Sequence, residues 1–271
     1  MIIEIVSPQA ELLPDLRRLW KEAFGDEDAF LDSFFSTGFS PRRCLCALSA
    51  EQLAAAVYWF DGTLRGEKVA YLYALATFET YRGSGVARML MNQVHAQLQA
   101  QGYSAVLLVP ANKSLGQWYQ RLGYKYCGQG AQFFCKASGT PLPLRPVTAG
   151  EYHALREKYL PQGSVQQDTA TLEFLATHSQ LYAGEDFLLT VQISPYNTLL
   201  VPEFLGNISA VPGILSALGY PGAPFRGAVP ILPADTTFRP NWLEIDHSPV
   251  MFRPLAVPAP EPPSYFAFPL N

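Results

Sequence analysis

A two-part α/β chain with mixed sheets is the fold class this sequence predicts, on three observations. Val69–Thr77 is nine residues, nearly all apolar or aromatic, too short for a membrane span and too rich in Tyr, Leu and Val for a loop. That is the pattern of a strand buried on both faces. Arg82-Gly83-Ser84-Gly85-Val86-Ala87 then leads into apolar residues at Val86, Leu90, Met91, Val94 and Leu98, one face of a helix. Composition changes near residue 140: of the 23 prolines, 4 precede that point and 19 follow, and acidic against basic residues go from 12 against 13 to 11 against 6. The expected division is therefore 1–139 and 140–271, with Thr140-Pro141-Leu142-Pro143 as a stiff linker.

In chain order, Ile2–Val6 alternates as a first strand, and Ser7-Pro8 opens a helix with Leu12, Leu13, Leu16, Leu19, Trp20 and Phe24 on its apolar side. Gly25 ends it. Asp28–Phe35 forms a second helix that gathers Phe30, Leu31, Phe34 and Phe35. Cys44–Leu48 and Leu53–Phe60 read as antiparallel strands, with Asp61-Gly62 turning the chain into the central strand. After the glycine turn and its helix come a strand at Ala105–Val109, a short helix ending at Gly123, and a strand at Gln132–Lys136 that completes the first domain. The second part opens with Leu144–Val147 and a helix through Leu155 and Arg156. A hairpin of Phe187–Ile193 with Thr198–Leu205 and a helix through Ile214, Leu215 and Leu218 follow. Pro-rich 254–263 runs extended, and the apolar end at Ser264–Asn271 is expected as a docked closing strand.

The glycine turn carries the chemistry. The first turn of a helix leaves backbone N–H groups unpaired and attracts anions, so a diphosphate suits residues Arg82, Gly83, Ser84, Gly85, Val86, Ala87 and Arg88. A dinucleotide fingerprint would need a small residue where Arg88 stands and an acidic residue near position 105; a triphosphate loop would need Gly-Lys-Ser/Thr. Both are absent. What remains, Arg82-x-x-Gly85-x-Ala87, resembles the Gln/Arg-x-x-Gly-x-Gly/Ala loop of the GNAT (Gcn5-related) N-acetyltransferase superfamily. A second block in the right order, Asn112, Ser114-Leu115-Gly116-Gln117-Trp118-Tyr119 and Gly123-Tyr124, is similar to the family's next strand, Asn, short helix, Tyr and closing Gly-Phe/Tyr.

The resemblance implies a GNAT fold at 1–139 with acetyl-CoA as co-substrate. It implies that the pantetheine arm pairs with the main chain of Leu75, Ala76 and Thr77, that Asn112 and Ser114 contact the arm, and that Tyr119 protonates the departing thiolate. Arg82 aids the phosphates or is a surface charge; Glu79 is a water-linked base or a solvated turn residue. The two-part outline resembles members of the enhanced intracellular survival type, which implies a degenerate GNAT-like domain at 140–271 without a cofactor loop. In those members the C-terminal carboxylate, here that of Asn271, is placed in the active site. The implied function is acetyl-CoA-dependent N-acetylation of a primary amine, on a small molecule or a lysine side chain. The alternative is a non-catalytic acyl-CoA-binding or sensing module that docks a partner through its second domain.

Other classes are disfavoured. A net charge of −4 offers no basic face for nucleic acid or an anionic membrane. No apolar run reaches the ~20 residues of a membrane helix and the N-terminus lacks a leader pattern, so a cytoplasmic protein is expected. Four scattered cysteines, Cys44, Cys46, Cys127 and Cys135, give no disulfide framework, and four separated histidines give no metal site. Oligomeric state and acceptor identity are not written in the sequence.

Overall fold

The computed structural model of the chain describes residues 2–194, 196–228, 243–247 and 249–268, with 129 and 243–247 given by backbone alone. Contacts divide the chain into two compact units. Unit 1 comprises Met1–Leu108, Asn112–Tyr124 and Met251–Glu261; unit 2 comprises Val109–Ala111, Lys125–Val250 and Pro262–Asn271. The expected boundary at 139/140 is thus corrected to 124/125, with a later segment returning to unit 1.

In unit 1, β1 (Ile3–Val6), β2 (Cys44–Ser49), β3 (Gln52–Leu64) and β4 (Glu67–Thr77) form an antiparallel meander, and β5 (Ala105–Leu108) joins parallel to β4. β3 continues through Asp61-Gly62, the expected turn. The chain reverses instead at Arg65-Gly66, two residues of positive φ between the paired Leu64 and Glu67, a geometry that matches hairpin twist. Helix α1 (Leu13–Phe24) ends at a left-handed Gly25, and α2 (Asp28–Ser33) runs into a π-helical turn at Phe34–Gly38. Helix α3 (Val86–Ala100) buries the expected stripe: Val86, Leu90, Met91, Val94 and Leu98 join the core formed by β2–β4. Helix α4 is Lys113–Gln120. Cys44 and Cys46 are buried free thiols in β2.

Unit 2 contains the short strand β6 (Lys125–Tyr126), β7 (Gln129–Lys136), β8 (Arg145–Pro146), α5 (Ala149–Tyr159), β9 (Val165–Gln167), α6 (Thr169–Ala176) and β10 (Gln180–Ala183). It continues with β11 (Phe187–Ile193), β12 (Leu199–Gly206), α7 (Val211–Leu218), β13 (Gly222–Gly227) and β14 (Leu243–His247). Its sheet order is β14-β7-β13-β12-β11-β10-β8. The hairpin β11–β12 forms as predicted, and β12–α7–β13 is a parallel crossover like β4–α3–β5. Strand β7, expected to complete the first domain, pairs instead with β13 and β14. Its alternating Ala131, Phe133 and Cys135 pack with Phe204, Phe225 and Ile214, and such a strand fits any sheet whose face is apolar.

Unit 1 takes its sixth strand from far along the chain: β15 (Met251–Pro254) pairs antiparallel with β5, so the Pro-rich stretch is entered through a strand. Arg253 on β15 donates to His95 Nδ1 on α3, which leaves the neutral ring's proton on Nε2 to be donated to the Tyr124 hydroxyl at 2.7 Å. Burial, then the Arg253 charge, lowers the His95 pKa to about 3. The unfolded chain takes up this proton near pH 6.5 and the folded one does not. Stability is therefore full above about 6.5 and falls as pH drops toward 3, by up to about 1.4 kcal/mol per pH unit. Urea unfolding from pH 7 to 4.5 should show this acid limb, and His95→Gln should flatten it; equal limbs in the two proteins would remove His95 as its source.

Residues 264–268 are irregular rather than the expected closing strand, although Tyr265, Phe266 and Phe268 are buried. They dock by single main-chain links, such as Val165 N–H to the Tyr265 carbonyl at 3.0 Å, because the two prolines at 262 and 263 break any continuous ladder.

Candidate functional site

Strand β4 changes partner and shape midway. It pairs with β5 only over Val69–Tyr71 against Ala105–Leu107, and no described strand pairs with that edge at Leu75, Ala76 and Thr77. On the β3 side the register shifts between Ala56 and Tyr58, so Ala74 and Leu75 together oppose Val57. This is a β-bulge, and Ala74 sits at φ 50°, a left-handed conformation that costs a non-glycine residue about 1–2 kcal/mol. The bulge re-aims the main chain of Leu75–Thr77 where the strands part. Nothing in the sequence marks it.

Beyond Thr77 a short 3₁₀ turn, Glu79–Tyr81, leads to the loop. Its first N–H, that of Glu79, donates to the Glu22 carboxylate on α1 at 2.7 Å, while the Glu79 side chain is exposed. The Arg82 side chain donates through Nε to the Thr77 carbonyl at 3.2 Å, tying the loop to the end of β4. Ser84 turns its hydroxyl onto the Tyr81 carbonyl. Gly83 and Gly85 have φ of 76° and 88°, conformations open to glycine and strained for other residues. Gly85 is the N-cap of α3 and no side chain caps that end. Its carbonyl takes the Met89 N–H at 3.1 Å, so the N–H groups of Val86, Ala87 and Arg88 have no acceptor within the helix. A cavity of about 280 Å³ opens over this terminus, lined by Thr77, Tyr81, Arg82, Gly83, Gly85, Val86, Ala87, Arg88 and Trp118. Two cationic residues and no carboxylate line it. The residues present fit a diphosphate.

Helix α4 supplies the opposite side. Asn112 is its N-cap, the side-chain oxygen accepting from the Leu115 N–H at 2.9 Å, which leaves the amide NH₂ for other partners; Ser114 is exposed in the first turn. Tyr119 is 8% exposed, edge-on to Trp118 and Tyr124 with centroids at 4.9 and 5.6 Å. Burial pushes its pKa up to about 12, so the phenol keeps its proton throughout the physiological range. Tyr81 and Trp118 line the cavity without belonging to the sequence motif. An aromatic beside Tyr119 on a half-apolar helix was the one signal for Trp118.

On the other face of the sheet, α1 and α2 lay an aromatic wall against β3 and β4. Trp20 lies 4.5 Å from Phe34, 5.3 Å from Tyr58 and 5.8 Å from Tyr73, centroid to centroid. Its indole N–H donates to Asp26 at 2.7 Å, and burial, then the Asp26 charge, raises the Tyr73 phenol pKa. Much of this wall is core, as Phe34 and Trp20 are fully buried.

Asn271 lies outside the described residues, so its carboxylate has no place in this geometry. Among the described residues no group of three or more His, Cys, Asp or Glu gathers as a metal site, and no helix is long and apolar enough to cross a membrane. The crossover of unit 2 is built differently from that of unit 1. Asn207 caps its turn by accepting from the Ser209 N–H at 3.0 Å, and Pro212 removes a donor at the start of α7. A Cβ at Gly206 would lie 2.4 Å from the Asp186 carbonyl oxygen.

Comparison with known proteins agrees with this architecture. The family profile described as acetyltransferase (GNAT) domain matches residues 4–127. No curated protein matches the sequence. Among solved structures, the chain is similar to a GCN5-related N-acetyltransferase from Kribbella flavida (20% identity, TM-score 0.72, 95% of this chain and 72% of that one). It is also similar to one from Anabaena variabilis (16%, 0.70, 94% and 74%) and to Eis1 from Mycobacterium abscessus (13%, 0.68, 94% and 74%). At these identities the structural likenesses speak for the fold, and the profile speaks for the family. Through residues 4–127 the chain belongs to the GNAT acetyltransferase family, and it carries the GNAT fold in a two-part arrangement.

Proposed function

We propose that this protein transfers the acetyl group of acetyl-CoA to a primary amine, on a small molecule or a lysine side chain, and that unit 1 alone binds the donor. The observation that carries the reading is the continuity of an uncapped helix terminus at Gly85–Arg88 with the open edge of β4, both bordered by Thr77. The N–H groups of Val86–Arg88 hold the diphosphate, the edge at Leu75–Thr77 pairs with the arm, and a main-chain N–H beside the bulge polarises the thioester carbonyl. Tyr119 donates its proton to the thiolate as the C–S bond breaks. The proline, Asn207 cap and crowded Gly206 of unit 2 support a single donor site per chain.

Turnover of acetyl-CoA against a panel of polyamines, aminoglycosides and lysyl peptides tests this. The expected outcome is acetylation of at least one amine, with Tyr119→Phe lowering kcat about 10²-fold at nearly unchanged donor affinity. Because burial holds the phenol pKa near 12, the wild-type pH–rate profile should show no Tyr119 limb below about pH 11. Tight CoA binding with no turnover across the panel would give the chain a sensing role instead.

A further inference from the structure

We infer that Trp118 is a donor-binding residue, holding the branched aliphatic pantoyl segment of coenzyme A against its indole. The inference rests on the reading of the cavity over α3 as the acetyl-CoA site. That cavity has two chemically distinct walls. One is main chain and cation, from Gly83 to Arg88; the other is carried by Trp118 and Tyr81. A diphosphate satisfies the first wall and has no use for the second, since an aromatic face repels rather than recruits an anion. Coenzyme A carries a gem-dimethyl group directly after its diphosphate, and an amide-bearing arm after that. The order of surfaces matches: N–H cradle, aromatic wall, then Thr77, which lines the same cavity and ends the open edge of β4.

Trp118 is also held for the task. It is half-buried, packed against the core of unit 1, with its ring edge-on to Tyr119 at 4.9 Å and 70°. Its position is thereby fixed before the donor arrives, which lowers the ordering cost of binding. As the neighbour of Tyr119 on α4, it also couples the seat of the arm to the place of the proton donor.

Calorimetric titration of the full chain separates the possibilities, using coenzyme A and adenosine 3′,5′-bisphosphate, which lacks the pantetheine arm. Removing the wall in Trp118→Ala should weaken coenzyme A about tenfold, the worth of two buried methyl groups, and leave the bisphosphate within twofold. Trp118→Phe should restore most of the loss. If Trp118→Ala does not fold, the fluorescence of Trp118→Phe decides: coenzyme A should quench the wild-type indole emission and leave that of the variant unchanged. Failure of the wild type to bind coenzyme A would overturn the donor-site reading itself. Wild-type binding with equal loss of both ligands, with no loss, or with full quenching in Trp118→Phe would overturn the role of Trp118 alone.

Discussion

Ala87→Glu should abolish measurable acetyl-CoA binding while leaving the fold intact. Ala87 stands in the first turn of α3, beside the donor-free N–H groups of Val86 and Arg88 and on the wall of the 280 Å³ cavity. A carboxylate there fills the cradle and meets the diphosphate as a like charge. At contact distance and an effective dielectric near 20 such repulsion costs about 4 kcal/mol, or about 10³-fold in Kd. The same carboxylate favours the helix, because acidic residues near a helix N-terminus gain about 0.3–1 kcal/mol from the macrodipole. Binding and folding thus move in opposite directions. Calorimetry should find one site per wild-type chain and none in the variant, with thermal unfolding unchanged or slightly raised. A site surviving in Ala87→Glu would place donor binding elsewhere.

Glu203→Ala should be the most destabilising single change in unit 2. Arg156 and Glu203 are 0% and 1% exposed, and the pair is bidentate: Arg156 Nε donates to Oε2 at 3.2 Å and Nη2 to Oε1 at 2.6 Å. Tyr152 and Tyr265 donate their hydroxyls to the same carboxylate at 3.0 and 3.2 Å. Removing it strands a buried guanidinium and two phenols. Loss of one partner of a buried pair costs about 3–5 kcal/mol, whereas replacing both with apolar residues of similar volume costs far less. Urea unfolding should therefore rank Arg156→Met/Glu203→Leu above Glu203→Ala. Tyr265→Phe should cost only about 1 kcal/mol, with faster hydrogen exchange at Val165, whose N–H bonds the Tyr265 carbonyl. A loss under about 1 kcal/mol for Glu203→Ala would mean that water reaches Arg156.

The donor loop was legible because its parts are contiguous. A strand read from Val69–Thr77, two glycines and a helix face read from Val86, Leu90, Met91, Val94 and Leu98 are each local patterns, and a main-chain cradle needs only that those few residues take their preferred dihedrals. The same holds for α1, whose apolar stripe and Gly25 stop appear as read, and for the β11–β12 hairpin. The bulge was illegible. Ala74 has no reason of its own to adopt φ 50°; the register of β3 against both halves of β4 imposes it. Trp118 was passed over for a related reason: a half-apolar helix position says that a ring is packed, not which cavity it borders.

By itself, then, the sequence determined the elements, their apolar faces, the chemistry of the loop at 82–88 and the family it resembles. Only the tertiary structure decided which strand went to which sheet. β7 was expected in the first domain and pairs with β13; β15 was expected as surface coil and pairs with β5. The buried pair of Arg156 with Glu203, 47 residues apart, belongs to the same class of decision. Alternation tells a strand which face to bury but leaves its two edges equally able to bond any extended neighbour, so the choice of partner rests on competition among distant segments of the chain.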